Sequence, residues 1–378
     1  MRDIAGMLNS AGGMLQKRQL VARGACDADL TRAVKSAAVI RVRQGWYTTL
    51  PDDDLRVRAI RVGGRLTGIS AVDQAGGWVL GRHPLHVSVQ DNAARLRSPQ
   101  DRRVRFDPAR DESVVLHWDP HDLVRRGTAT SVSLPDALHR VVLDESLETA
   151  IAALDWALHG SRIGRLEFEA LVLRLPAAFR NLGSWVDARC ESLPESLSRT
   201  RLRLRGHSVV SQVRLGELER IDLVVDGCVG LEIDGEEFHR DRFESDRSKD
   251  LAITLVGLHA VRPSARMVFH DWETVLRAIE AAISSHDRAS GQGNSGQGNL
   301  GQGNLGQGNS GQGNSGLGNS GLRPPRAGAI PGRRRNRARV GRARPEFPAP
   351  HPAPASAEGR NNAAGRGNIG DGTTLSLG

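Results

Sequence analysis

Residues 220–242 read RIDLVVDGCVGLEIDGEEFHRDR. Apolar residues alternate as in a strand pair, Ile221, Leu223 and Val225, then Val229, Leu231 and Ile233. Asp226-Gly227-Cys228 supplies the turn, a composition suited to a tight hairpin. Folding about those residues sets Asp222 opposite Glu232, with Cβ atoms roughly 5 Å apart. Asp234 lies two residues on and shares their face, while Ile221, Leu223, Leu231 and Ile233 take the other. Like charges set opposite one another repel, so a solvated sheet face normally pairs such acids with Lys or Thr. Convergent carboxylates suit a hard divalent cation such as Mg²⁺ (or Mn²⁺). The register of this hairpin therefore decides between a site and an ordinary surface.

The flanking segments extend the pattern over residues 186–288. WVDARCESLPESLSRTRLRLRGH reads as a helix ending near Gly206, and HSVVSQVRL as a strand. After the hairpin, EEFHRDRFESDRSKDLAITLVG reads as a helix with His239, Phe243, Asp246 and Asp250 on one stripe. LHAVRPSA gives a further strand, and a closing helix starts at Asp271. The expected order is helix, three strands, helix, strand, helix.

This block resembles the PD-(D/E)XK nuclease-like domains of the very-short-patch-repair (Vsr) type, in their domain-of-unknown-function branch. The residues that carry the resemblance are Glu195 in LPESL, Gln212 in QVR, Asp222 in RID, and Glu232, Asp234 and His239 in LEIDGEEFH. Asp246, Arg247 and Asp250 in DRSKD and Arg262 in a VR strand complete the set. The resemblance implies a restriction-endonuclease-like, three-layer α/β/α domain in which Asp222 and Glu232 bind Mg²⁺. Glu195 would face the metal from the neighbouring helix, and Gln212 would orient a ligand. The family's lysine position, two residues after the second acid, holds Asp234 here. Asp234 then becomes a candidate further metal ligand, with His239 or Arg247 serving the attacking water or the scissile phosphate. For Asp246, Arg247 and Asp250 an ion-pair network on the helix surface is the competing reading.

Residues 1–50 hold three short helical patterns, IAGMLNSAGG, MLQKRQLVARG and DADLTRAVKSAA. Gly24 can end the second, and Asp27 or Asp29 can cap the third. AVIRVRQGWYTT then turns at Gly45 as a basic hairpin. Three helices and a basic hairpin make the pattern of a winged helix-turn-helix, whose third helix enters the major groove. Arg32, Lys35, Arg41, Arg43 and Gln44 fall on its expected DNA-facing surface. The stretch from Gly12 to Thr49 resembles the N-terminal domain of AbiEi-type antitoxins of type IV toxin–antitoxin systems, which implies a DNA-binding winged helix. A small helical cap without a ligand is the alternative.

Residues 51–185 read as a mixed α/β connecting domain. RLTGISAVDQAGGWVL is helical up to Gly76-Gly77, LHVSVQ and SVVLHWD are strands, and a helical run from Leu134 breaks near Gly160–Gly164. His83, His86, His117 and His121 are scattered over strand and loop positions and read as structural or surface residues. From 289 to 378 the chain reads as disordered: a Gly/Gln/Asn five-residue repeat over 291–320, then an Arg- and Pro-rich segment. From residue 290 on, eleven arginines against Glu346, Glu358 and Asp371 account for +8 of the net +9, so residues 1–289 are nearly neutral. Cys26, Cys190 and Cys228 have no metal-ligand spacing and are expected as buried free thiols in a reducing cytoplasm. The sequence offers no signal-peptide pattern and no apolar run of membrane-spanning length.

The expectation is thus an α/β multidomain, DNA-acting protein of the cytoplasm with a Mg²⁺-dependent endonuclease domain. Its expected partners are DNA and either a cognate toxin or a second copy of itself, with no membrane. A non-catalytic, antitoxin-like transcriptional regulator on a degenerate nuclease fold is the main alternative, and RNA cleavage by the same site a third.

Overall fold

Pairing, more than helix propensity, shapes the N-terminal residues. Ile4–Asn9 (α1) is followed by Met14–Gln16 (β1), Lys17–Ala22 (α2), Asp27–Lys35 (α3), Ile40–Arg43 (β2) and Trp46–Thr48 (β3). The three strands form a sheet in the order β1-β3-β2. Met14–Gln16, expected as the start of the second helix, is instead a strand, because Met14 pairs with Thr48 and Gln16 with Trp46. Gln16 then caps α2, and Gly24 takes a left-handed φ of +88° just beyond it. Asp29 closes a capping box at α3 by accepting the Cys26 N–H at 3.3 Å. Cys26 is exposed, contrary to expectation, whereas Cys190 and Cys228 are buried; all three are free thiols.

The computed structural model describes residues 2–120, 126–215, 219–235 and 251–292. Its middle part contains Leu55–Val62 (α4), Arg65–Leu66 (β4), Gly68–Gln74 (α5), Leu85–Gln90 (β5) and Val114–Asp119 (β6). Leu134–Asp144 (α6), Leu147–His159 (α7) and Arg165–Arg174 (α8) follow, then a 3₁₀ helix over Ala177–Ser184. Strands β5 and β6 run parallel. One face of the pair, with Leu85, Val87, Val89 and Val114, is packed in a core with Ala59 and Val62 of α4. The helices enclose a second core around Leu138, Val141, Ile151, Leu154, Leu171 and Trp185. Met14 and Val42 pack with Val57 and Ile60, so apolar packing continues across residue 50.

The last part is Leu193–Leu204 (α9), Val209–Leu215 (β7), Glu219–Val225 (β8), Val229–Leu231 (β9), His259–Val261 (β10), Ala265–His270 (α10) and Trp272–Gln292 (α11). Its sheet has the order β10-β9-β8-β7, with β10 parallel to β9. Leu202 of α9 and Val275, Leu276 and Ile279 of α11 pack with Leu223, Val225 and Leu231. Ile253, in a helical stretch over 251–255, packs with Ile221 and Val224 instead. Helix α9 starts at Leu193 and not near Trp185, because the Ser192 hydroxyl caps it and Pro194 sits in its first turn. Helix α11 runs to Gln292, four residues into the stretch expected to be disordered; residues 293–378 lie outside the described ones. No helix among the described residues is long and apolar enough to cross a membrane.

One buried knot ties the helices to the last sheet. Asp155 of α7 accepts from Ser196 at 2.6 Å, from Arg199 at 2.7 Å and from the Asp187 N–H at 2.7 Å. Arg199 also donates to the Trp185 carbonyl at 2.6 Å. Burial pushes the Asp155 carboxyl above its ordinary range, and Arg199, Ser196 and the Asp187 amide oppose that shift. Removing one partner leaves a buried charge without compensation. Arg199→Ala should therefore lose about 3–5 kcal/mol in urea denaturation, and a loss no larger than that of an exposed control such as Arg165→Ala would contradict this role.

Candidate functional site

The hairpin folds in the register expected from its sequence. Leu223 pairs with Leu231, Val224 with Gly230 and Val225 with Val229. Asp226 and Gly227 have left-handed φ of +48° and +69°, and the Cys228 N–H closes the turn onto the Val225 carbonyl. His207 and the Ser208 N–H both donate to the Asp226 carboxylate, at 2.7 and 2.8 Å, pinning the hairpin tip to the start of β7. By this register Asp222 and Glu232 face one another just where the β9 ladder ends. Their side chains replace the missing ladder bonds. Asp222 accepts the Ile233 N–H at 2.9 Å, and Glu232 accepts the Asp222 N–H at 3.1 Å. Glu232 is buried and Asp222 half-buried.

Glu195 reaches the same place from α9. As the third residue of the helix it accepts from the Ser192 hydroxyl at 2.7 Å and from the Glu191 N–H at 2.9 Å, while the Ser192 hydroxyl caps the helix by accepting the Glu195 N–H. Gln212 donates to it at 3.0 Å. Burial pushes the Glu195 carboxyl above its ordinary range; the nearby Asp222 carboxylate adds to this, and the Glu191, Ser192 and Gln212 hydrogen bonds oppose it. Gln212 sits across the ladder from Asp222 with a φ of +56°, a strained conformation for a residue with a side chain. On the partner strand the alternation also breaks at Asp222, and Ile221, expected on the face of Leu223, packs with Val224 instead. Gln212, expected to orient a ligand, here holds Glu195.

Other expected members of the site end elsewhere. Asp234 binds Arg262 at 2.7 Å, and its N–H donates to the Pro263 carbonyl. It joins no three-ligand group with Asp222 and Glu232 among the described residues. This ion pair is also where Arg262 is used. His239, Asp246, Arg247 and Asp250 lie outside the described residues, as does His121.

On the N-terminal surface Arg32 and Lys35 of α3 and Arg41 and Gln44 of the hairpin are exposed. Arg32 also pairs with Asp29 at 3.3 Å. Arg43 is withdrawn from that surface. Its guanidinium donates to the carbonyls of Arg61, Val62 and Arg95, at 3.0, 2.8 and 3.1 Å, and so caps the C-terminus of α4. A side chain at Gly63 would collide with it.

The middle part holds a cluster that the sequence did not announce. Parallel pairing sets His117 beside Ser88 and leaves His86, Ser88, His117 and Asp119 on one face, opposite the apolar core face. His86 Nδ1 lies 3.2 Å from His117 Nε2, and Asp144 Oδ2 is 4.0 and 3.7 Å from these atoms. Asp119 accepts from Ser88 at 2.6 Å and from Arg140 at 3.1 Å. Comparison of the sequence with protein-family models and with curated proteins finds no match.

A raised carboxyl pKa means that the folded chain holds the Glu195 proton more tightly than the unfolded chain. Its contribution to stability is complete below the unfolded pKa and is lost as pH rises through the folded pKa. Glu195→Gln should remove that decline, so its urea midpoint should fall less than that of the native chain between about pH 4 and pH 7. Parallel pH profiles would show that Glu195 is not desolvated in this way.

Proposed function

We propose that the chain acts on DNA, with an N-terminal winged helix that holds the duplex and a C-terminal restriction-endonuclease-like unit that hydrolyses a phosphodiester with Mg²⁺ (or Mn²⁺). One observation carries the reading: the hairpin register sets Asp222 opposite Glu232, with Glu195 beside Asp222. Two oxygen donors fit a small hard ion that keeps several of its waters and shares a substrate phosphate. Asp222 and Glu232 would hold it. When bound, the ion would activate water for attack and neutralise charge on the phosphate. The chain's own contribution is positional: backbone N–H groups fix both carboxylates, and Glu195, steadied by Gln212, sets the local charge. The order helix–strand–two helices–hairpin at the N-terminus supports the winged-helix half, with Arg32, Lys35, Arg41 and Gln44 turned to solvent.

A second reading has an observation of its own. The position that would hold the family's lysine is Asp234, and it is bound to Arg262. A chain that binds DNA without cutting it, as an antitoxin-like regulator does, is consistent with that pair.

Plasmid nicking in Mg²⁺ separates the two. Asp222→Ala and Glu232→Ala should each reduce cleavage about 100-fold or more, while DNA binding survives. No nicking by the native chain, with binding intact, would favour the regulator. For the N-terminal surface, Lys35→Ala and Arg41→Ala should each lower the log–log salt slope of duplex binding by about 1. Arg43→Ala should leave that slope unchanged and reduce stability instead.

A further inference from the structure

We propose that His86, His117 and Asp144 form a site for a divalent transition-metal ion of the zinc type, separate from the acidic hairpin. The geometry is nearly made. Zinc binds imidazole nitrogen at about 2.0–2.1 Å with tetrahedral angles, which sets two ligand nitrogens about 3.3 Å apart. His86 Nδ1 and His117 Nε2 stand 3.2 Å apart. Asp144 Oδ2, at 3.7 and 4.0 Å from them, needs to close by only about 0.5 Å to complete the triangle. The parallel β5–β6 pair fixes both imidazoles, and Asp144 is the last residue of α6, so three elements would meet at the ion.

The surroundings suit a cation. Glu145 Oε1 lies 3.6 Å from His86 Nε2, favouring the tautomer with its proton there and the Nδ1 lone pair turned to the site. Arg140 is paired with Asp119 at 3.1 Å. The histidine side chains are 4 and 7% exposed and that of Asp144 is 27% exposed, with Oδ2 itself buried, so all three ligand atoms lie below the surface. Two nitrogen donors and one carboxylate select borderline transition ions over Mg²⁺ and Ca²⁺, which prefer oxygen alone.

The competing account of the same atoms is an N–H···N hydrogen bond between two neutral imidazoles. Cobalt(II) distinguishes them. The full-length chain, stripped with chelator and kept in excess Mg²⁺, is titrated with Co²⁺. The site should take up one equivalent, develop the strong visible ligand-field bands of tetrahedral coordination, and lose them when Zn²⁺ is added. His117→Gln and Asp144→Asn should weaken Co²⁺ binding by about 10- to 100-fold or more, and Asp222→Ala should leave it unchanged. Asp144 is partly exposed, so its variant carries the test if His117→Gln does not fold. No bands in the native chain, bands that persist in both site variants, or bands lost in Asp222→Ala would each overturn the site.

Discussion

The buried pair between Asp155 and Arg199 is the constraint on which the candidate hairpin site depends. A carboxylate and a guanidinium out of water are tolerable only when hydrogen bonds offset their lost hydration. Here Ser196 and the Asp187 amide donate to the carboxylate and the guanidinium reaches the Trp185 carbonyl, while Arg199 Nε has no hydrogen bond among the described residues. The consequence is positional. Arg199 and Glu195 are four residues apart on α9, one helical turn, so fixing the first against α7 fixes where the second points. Glu195 is thereby delivered beside Asp222, on a different element from either member of the hairpin.

At the hairpin itself, repulsion between carboxylates is offset by backbone donors. Where β9 stops pairing, Asp222 and Glu232 each accept a main-chain N–H that would otherwise lose its ladder partner. The same contacts that make the pair tolerable also hold both groups rigidly. Strain is concentrated next to them at Gln212, whose left-handed backbone turns its amide to Glu195. A preorganised cluster of this kind is what a metal-assisted site needs and also what a well-made turn needs, so the chemistry must be read from cleavage.

Much of this was legible in the chain. The alternation over Leu223–Ile233, the Asp226-Gly227 turn and the resulting Asp222–Glu232 opposition are local, because a short hairpin leaves few registers that bury its apolar residues; Ile221, expected on the same face, packs on the other. The neighbours were legible as elements but not at their ends: Met14–Gln16 has helix-like composition and is drawn into a strand by Trp46–Thr48, and Ser192 resets the start of α9. Roles of single side chains were less legible. Arg43 looks like a phosphate contact on the hairpin and is held by the end of α4, and Asp234, a candidate ligand, is paired with Arg262.

The sequence by itself determined the strand alternation from Leu223 on, the turn and the facing acids, because each is set by neighbours along the chain or across one tight loop. Only the tertiary structure decided that His86 and His117, 31 residues apart, stand side by side. Parallel strands are joined by long connections whose length carries no signal of register, and the alignment is fixed by the burial of Leu85, Val87, Val89 and Val114 on the opposite face. Two histidines that read as scattered residues thus become the paired centre of a buried polar face.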